Sequence, residues 1–297
     1  MPSPRDLAEL VRAPAALSVP GDVVAGAAAG QVLGGRTLGL ACSSVCLYWA
    51  GMAANDWADR HLDAEERPER PIPSGRVSPG AALGVAAGLT AAGLAAAGLS
   101  GGRRALAVAV PLAAAVWSYD LVAKNTAAGP LVMALCRGLD VLLGATPGRS
   151  VAAALPSALT VAAHTYLLTE LSRAEVSGSD RSLPAATLAG TVALAVATAL
   201  GRGDASAASR SARAAWVVRA VQAGLTGWYA TRFGMSQAQA VAEPSASRLR
   251  AAVGTGIVAL PALQGALVAR TGATREGIAV AAAVPLGQAL ARKVSPT

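Results

Sequence analysis

The sequence contains 297 residues, of which 54% are hydrophobic and 14% are charged, and its mean hydropathy is +0.47. A soluble globular domain carries about a quarter charged residues, so this chain has too little charge to cover a surface that faces only water. The net charge of +8 is not accompanied by an aromatic-basic pattern typical of nucleic-acid binding. We therefore predict an all-α, polytopic membrane protein that contacts membrane lipid and binds no nucleic acid.

Apolar stretches long enough to cross a bilayer, about 20 residues each, recur along the chain. Short polar connections such as Gly101-Gly102-Arg103-Arg104 separate most of them. The segment 210–232 is the weakest candidate because arginines recur along it, and we interpret 233–248 as a plain connection. We predict nine or ten spans within one domain, residues 1–297, near 15–35, 37–54, 79–99, 104–119, 128–147, 151–170, 183–201, 210–232, 249–270 and 275–292.

Two connections are long and polar, at residues 55–78 and 171–182, and counting spans places both on the same membrane face as the loop 120–127. Lys and Arg are enriched in cytoplasmic loops. We therefore predict that this face of an integral protein of the cytoplasmic membrane lies in the cytoplasm. The basic residues assigned to it are Arg5, Arg12, Arg60, Arg67, Arg70, Arg76, Lys124, Arg173 and Arg181, against Arg103, Arg104 and Arg202 on the other face.

The densest group of acids follows the second predicted span, where six of the chain's 17 carboxylates lie between Asp56 and Glu69. If the helix of that span continues, Asn55, Asp59 and Asp63 repeat every four residues and line one face. Their oxygens are hard ligands suited to Mg²⁺, which is usually held by one or two carboxylates together with substrate phosphates. A solvated helix end is the alternative, but it does not explain why scarce acids concentrate here.

The segment that follows reads Arg67-Pro68-Glu69-Arg70-Pro71-Ile72-Pro73-Ser74-Gly75-Arg76. Its three prolines are incompatible with a regular helix and stiffen the backbone. Arginine side chains bind phosphate oxygens in a bidentate manner. A positively charged membrane anchor would explain the charge but not the proline spacing, so we predict phosphate contacts from Arg67 and Arg70.

The run Asn-Asp-x-x-Asp-x-x-x-Asp from Asn55, followed by Arg-Pro-Ile-Pro-Ser-Gly, resembles the UbiA superfamily of intramembrane prenyltransferases. The strings Glu-Arg-Pro-Glu-Arg-Pro-Ile-Pro-Ser-Gly at 66–75 and Gly-Pro-Leu-Val-Met-Ala-Leu-Cys-Arg-Gly-Leu-Asp-Val-Leu-Leu-Gly at 129–144 are most similar to its EboC-like branch. The resemblance implies a bundle of about nine transmembrane helices around a central cavity. It also implies Mg²⁺-dependent transfer of a prenyl group from a prenyl diphosphate to an acceptor, which the sequence does not identify.

The resemblance assigns roles to individual positions. It maps Asn55, Asp59 and Asp63 to metal ligands and Asp56 to a supporting acid. It maps the diphosphate-binding arginine that follows the motif to Arg67 or Arg70, and it maps Tyr119 and Lys124 to further diphosphate contacts.

Further polar residues lie in later predicted spans. Arg137 and Asp140 are three residues apart, so they form either a structural ion pair or substrate contacts; we include Arg137 among the diphosphate contacts. Many UbiA members carry a second Asp-x-x-x-Asp motif, where this chain offers Glu170 and Glu175 as metal ligands. Five residues apart, these two face one site only if the helix ends between them. Catalytic roles are predicted for Asp59, Asp63, Lys124 and Glu175.

Two other functions remain open from the sequence. A UbiA-like terpene cyclase would capture the prenyl cation with the alkenes of the same prenyl chain. The departure of the second motif from the usual Asp-x-x-x-Asp pattern is compatible with this alternative. A non-catalytic carrier of prenyl lipids on the same scaffold would bind the diphosphate without consuming it. The complete set of predicted metal and diphosphate ligands favours the transferase.

Overall fold

The computed structural model describes residues 2–201 and 211–283, and every regular element in these ranges is helical. Two 3₁₀ turns (Ala13–Ser18 and Val151–Ala154) and a π-helical turn (Tyr119–Ala123) join some of the helices. The prediction of an all-α bundle is confirmed. The α-helices are α1 (Pro4–Leu10), α2 (Val19–Ala29), α3 (Gly35–Ala58), α4 (Arg60–Glu66), α5 (Pro79–Ser118), α6 (Gly129–Gly144), α7 (Leu155–Ser172), α8 (Ser182–Leu200), α9 (Ala212–Ala242), α10 (Ala246–Arg270) and α11 (Thr274–Ala281).

The long helix α5 consists of two membrane passes. Gly102 interrupts it with φ 65° and ψ −152°, a conformation that glycine adopts far more readily than other residues. The predicted spans 79–99 and 104–119 are therefore the two halves of α5. With this break, the described residues pass nine times between the two ends of the bundle, in agreement with the prediction of about nine helices. Five of the helical segments are long and apolar enough to cross a membrane: 35–58, 79–123, 151–172, 182–200 and 246–270.

The first predicted span, 15–35, is shorter in the structure than in the sequence-based prediction. Helix α2 has only 11 residues and follows the 3₁₀ turn at Ala13–Ser18. Nine of these residues are buried, so α2 is surrounded largely by protein. Burial within protein explains how a helix too short to span the hydrocarbon can lie inside the bundle.

The predicted connection 233–248 is wrong, because α9 continues to Ala242 and only residues 243–245 separate it from α10. The residues of 233–242 are compatible with a helix, and the first helix-breaking residue is Pro244. The weak span 210–232 is thus the first part of a 31-residue helix packed against α8 and α10. Of the last predicted span, 275–292, residues 284–292 lie outside the described ranges.

Helices α2 and α6 approach closely because each presents a glycine to the other. A Cβ atom added to Gly26 would collide with the backbone carbonyl of Val141, and one added to Gly144 would collide with that of Val23. Small residues allow such close contact between membrane helices, where packing takes the place of a hydrophobic driving force. This contact fixes α6, and with it the loop 124–128, relative to the N-terminal segment.

The connections gather at two ends of the bundle. At the motif end, which holds residues 59–78, 124–128, 173–181 and 243–245, Arg173 Nη1 donates to the Thr126 carbonyl at 2.7 Å and the Ser179 amide donates to the Pro244 carbonyl at 3.2 Å. At the far end, Arg104 Nη1 donates to the Gly148 carbonyl at 3.1 Å. The fold therefore brings the long polar loops together, as the span count predicts.

Candidate active site at the motif end

The acidic segment stays helical across the junction of α3 and α4. The Asp59 amide donates to the Asn55 carbonyl at 2.9 Å, and the Asp63 amide donates to the Asp59 carbonyl at 2.8 Å. Asn55, Asp59 and Asp63 therefore occupy successive turns, which is the condition on which the predicted metal face depends. Only a local deviation at Asp59 (φ −85°, ψ 1°) separates the two helices.

The π-helical turn after α5 places two polar side chains against this acidic face. Lys124 Nζ lies 2.6 Å from Asp59 Oδ1, and Asn55 Nδ2 donates to Asp120 Oδ1 at 3.2 Å. Tyr119, at the start of the turn, is half-buried. Residues 65 positions apart in the sequence thus form one cluster, and Lys124 lies where it could contact any anion held by Asp59.

The proline-containing segment folds back so that its arginines reach the same carboxylates. Arg70 Nη1 lies 2.7 Å from Asp63 Oδ2 and 3.3 Å from Asp56 Oδ1. Arg67 Nη1 is 3.9 Å from Asp63 Oδ1 and its side chain is half exposed. Both acids are buried, so their charges require these partners.

Arg12 is a member of this cluster that the sequence analysis did not assign to the site. Its Nη2 lies 2.9 Å from Asp56 Oδ1, and its backbone is left-handed, with φ 47°. Nothing in the sequence links two residues 44 positions apart. A second unassigned member, Asp120, could have been found from its position beside Tyr119.

The second predicted motif meets only part of its geometric requirement. Helix α7 ends at Ser172, between Glu170 and Glu175, so the necessary helix end is present. However, neither glutamate forms an ion pair with a described residue. In residues 2–201 and 211–283, no three acidic, His or Cys side chains are close enough to hold a metal by themselves. The role of Glu170 and Glu175 as metal ligands stays a prediction.

The oxygens of the first motif fit the chemistry of Mg²⁺. Asn55 donates through Nδ2 and keeps its carbonyl oxygen, while Asp59 contacts Lys124 through Oδ1 and keeps Oδ2. Amide and carboxylate oxygens are the protein ligands that this ion uses when phosphates complete its coordination. Asp63 fits less directly, since both of its oxygens face arginines.

Arg137 lies deeper in the bundle than we expect of a residue that contacts the diphosphate. Its Nε is 2.8 Å from Asp22 Oδ2, and its Nη2 donates to the Ser18 carbonyl at 3.3 Å. Asp140 instead accepts from Ser44 Oγ at 2.6 Å, so Arg137 and Asp140 do not pair with each other. Eight residues, about 12 Å of helix, separate Arg137 from the start of α6.

The N-terminal helix α1 is attached to the proline-containing segment through Arg76. Its Nη1 lies 2.8 Å from Asp6 Oδ1 and 2.7 Å from Glu9 Oε2. Hydrogen bonds from Ser3, and then from Arg76, lower the pKa of Asp6 to about 2, and the hydrogen bonds from Arg76 lower the pKa of Glu9. Salt bridges thus hold α1 against the proline-containing segment that carries Arg67 and Arg70.

A helical membrane bundle in which basic side chains converge on an Asn- and Asp-rich helix end is the architecture of the intramembrane prenyltransferase class. The model of the UbiA prenyltransferase family matches residues 17–200. The chain belongs to the UbiA prenyltransferase family. Its assignment to the EboC-like branch stays a prediction.

Curated relatives match over shorter stretches. The digeranylgeranylglyceryl phosphate synthase of Methanothrix thermoacetophila is 46% identical over 70 residues, 20% of this chain and 26% of the relative. The bacteriochlorophyll synthase 33 kDa chain of Cereibacter sphaeroides is 32% identical over 155 residues, 49% of this chain and 51% of the relative. The matches therefore span from about a quarter to about half of the length of these relatives.

Solved structures share the fold over nearly the whole chain. A structure of digeranylgeranylglyceryl phosphate synthase in membranes has a TM-score of 0.65 at 16% identity and covers 91% of this chain and 98% of its own. The UbiA homolog from Archaeoglobus fulgidus bound to GPP and Mg²⁺ has a TM-score of 0.57 at 14% identity, covering 93% and 99%. At these identities the likeness concerns the fold.

Proposed function

We propose that this protein transfers the prenyl group of a prenyl diphosphate to an acceptor within the membrane, in a Mg²⁺-dependent reaction. The observation that carries the proposal is the cluster of Asn55, Asp59 and Asp63 on successive helical turns, with Lys124 and Arg70 in contact with its carboxylates. The family supports it, as does the Archaeoglobus fulgidus homolog bound to GPP and Mg²⁺.

The basic side chains at the motif end would bind and orient the diphosphate. Lys124, Arg70 and Arg67 can each exchange a carboxylate contact for a phosphate oxygen, and Arg12 is placed to join them. As the bond between C1 and oxygen breaks, its electron pair leaves with the diphosphate, and these cations stabilise the added charge. The bound metal, held by Asn55, Asp59 and Asp63, would supply Lewis-acid neutralisation of the same oxygens.

The apolar bundle would protect the allylic cation that remains. An interior poor in water suppresses its capture by water, so a nucleophile of the acceptor forms the new bond to carbon and loses a proton. Glu175 and Asp140 are candidates to receive that proton. Asp140 is buried deep in α6, so Glu175 is the better candidate for an acceptor that enters at the motif end.

The test follows pyrophosphate release by the purified protein in nanodiscs, with C10 to C20 prenyl diphosphates, in Mg²⁺ and in EDTA. A lipid extract of the host is added or withheld. Release that needs both Mg²⁺ and the extract supports the transferase, and mass spectrometry of the product then identifies the acceptor. Release without extract, with a cyclic hydrocarbon or alcohol as product, would establish the cyclase instead. Mg²⁺-dependent binding without release would establish a carrier.

The variant Asp59→Asn tests the metal assignment. We expect it to lose nearly all pyrophosphate release, because it removes the negative charge with which Asp59 would bind the metal and pairs with Lys124; the side chain is 24% exposed and the amide is isosteric, so the variant should remain folded. The matched control is Glu66→Gln, an exposed carboxylate on α4 without an ion pair among the described residues. Turnover retained in Asp59→Asn would contradict the assignment.

A further inference from the structure

A cleft of about 240 Å³ lies between α9 and α10, away from the candidate active site. Its lining includes Trp228, Tyr229 and Arg232 from α9 and Gly254, Thr255 and Ala262 from α10. Ala251 and Gly254, nearer the motif end, are exposed, whereas Ala259 and Ala262, further along α10, are buried. The cleft is therefore open near the motif end and closes toward the middle of the bundle.

Arg232 is an unusual residue for this position. Helix α9 packs between α8 and α10, both of which are apolar enough to cross a bilayer, so α9 crosses with them. Arg232 lies ten residues before the end of α9, about 15 Å along the helix. Its side chain is exposed, and no carboxylate of the described residues lies within ion-pair distance of it. A charged side chain at such a depth needs a partner.

We propose that this cleft binds an anionic phospholipid. Arg232, whose long side chain can reach toward the headgroup region, would bind the lipid phosphate. Trp228, one turn earlier and therefore further from the motif end, is 39% exposed and offers an aromatic surface to the acyl chain. The small side chains of Ala251, Gly254 and Ala259 leave a channel in which one acyl chain can lie.

The shape of the cleft matches this orientation of the lipid. Its mouth, with Arg232 and Gly254, opens toward the motif end, the direction in which the long Arg232 side chain can extend to the headgroup region, and its floor at Tyr229 and Ala262 is buried among apolar groups. The hydroxyl of Tyr229 is hydrogen-bonded inside the bundle, 2.9 Å from His164 Nδ1. Among the residues that line the cleft, Arg232 is the basic one, and it lies nearer the motif end than Tyr229 does. This site is independent of the proposed prenyl transfer.

Two substitutions remove the site in different ways. Arg232→Gln removes the charge, with Arg219→Gln as its control, since Arg219 is an exposed arginine of α9 outside the cleft. Gly254→Leu is designed to fill the mouth; nothing lies within 4 Å of a Cβ added at Gly254, so the new side chain starts in open space. Gly88→Leu is the corresponding control on α5, at another exposed glycine with open space.

The experiment is native mass spectrometry of the purified protein titrated with phosphatidylglycerol, phosphatidylcholine or diacylglycerol of the same acyl chains. We expect phosphatidylglycerol to bind best and diacylglycerol least. Arg232→Gln should lower phosphatidylglycerol affinity about tenfold, the effect of losing a charge-assisted hydrogen bond. Gly254→Leu should lower binding of both phospholipids. Wild-type affinity in both variants, or diacylglycerol binding equal to that of phosphatidylglycerol, would overturn the proposal.

Discussion

At the scale of single residues, the carboxylates of the candidate site divide into two kinds. Asp56 and Asp63 are almost fully buried and each contacts a guanidinium, so both contribute to holding the loop as well as to any chemistry. Asp59 is more accessible and contacts only Lys124. The difference predicts that substitutions at Asp56 act mainly on stability, whereas those at Asp59 act mainly on turnover.

For Asp56→Asn we expect a less stable protein, because Arg12 and Arg70 lose a common partner. The arginine side chains are 39% and 20% exposed, so water partly replaces the lost contacts. The expected cost is about 2 kcal/mol, equivalent to a decrease of roughly 4–8 °C in Tm. Thermal unfolding in detergent measures it, with the exposed Glu65→Gln as control. Equal Tm values for the two variants would contradict a structural role for Asp56.

The hydrogen bonds of Asp6 with Ser3, and then with Arg76, predict that the attachment of α1 depends on pH. The folded-state pKa of Asp6, about 2, lies below its ordinary value of 3.8. The contribution to stability is therefore complete above about pH 4 and is lost as the pH falls toward 2. Hydrogen exchange of the α1 amides in nanodiscs, corrected for intrinsic rates, should show protection decreasing over this range. In Arg76→Gln, the α1 amides should already be weakly protected at pH 7. Unchanged protection of these amides would show that the salt bridges of Arg76 are not the cause of the protection.

At the scale of secondary-structure elements, backbone contact between α2 and α6 determines where the polar loops lie. Gly26 and Gly144 allow this contact, and α6 begins directly after the loop that carries Lys124. The sequence predicted both helices but not their proximity, since the two glycines lie 118 positions apart and glycine is common throughout the chain.

We expect Gly144→Ala to separate α2 from α6, because its Cβ meets the backbone of Val23 and neither helix can yield locally. Overpacking of this kind costs about 1–3 kcal/mol. Gly138→Ala, on the same helix, places its Cβ 3.4 Å from that of Ala162, an ordinary contact, and alanine favours helix there. In thermal unfolding, Gly144→Ala should therefore lower the Tm, whereas Gly138→Ala should change it little or raise it. Equal Tm values for the two variants would show that the α2–α6 contact is not tight.

At the scale of the whole molecule, positive charge is distributed differently from the sequence-based assignment. The far end carries more arginines than were assigned to it, and among the described residues near them only Glu276 is acidic. The Lys/Arg bias toward the motif end is consequently smaller than predicted, although it keeps its direction. The far-end arginines are Arg36, Arg103, Arg104, Arg149, Arg213, Arg270 and Arg275; the motif end adds Arg248 and Arg250 to those predicted.

The cytoplasmic location of the motif end can be tested with two matched cysteines. Gly34 at the far end and Gly80 at the motif end are both exposed, with nothing within 4 Å of an added Cβ. In a background without Cys42, Cys46 and Cys136, an impermeant maleimide should label Gly34→Cys in intact cells and Gly80→Cys only after permeabilisation. The opposite pattern would place the candidate site outside the cytoplasm.

The sequence by itself determined the helical membrane class, the approximate number of spans and the acidic helix end, because these depend on local composition and on spacing of four residues. Tertiary structure alone decided that Lys124 reaches Asp59, that Arg12 reaches Asp56, and that Arg137 pairs with Asp22 rather than Asp140. Such contacts depend on how helices distant in sequence pack and on where each helix begins. No local pattern encodes them, which is why the sequence assigned Lys124 to the site only through the family resemblance and did not assign Arg12.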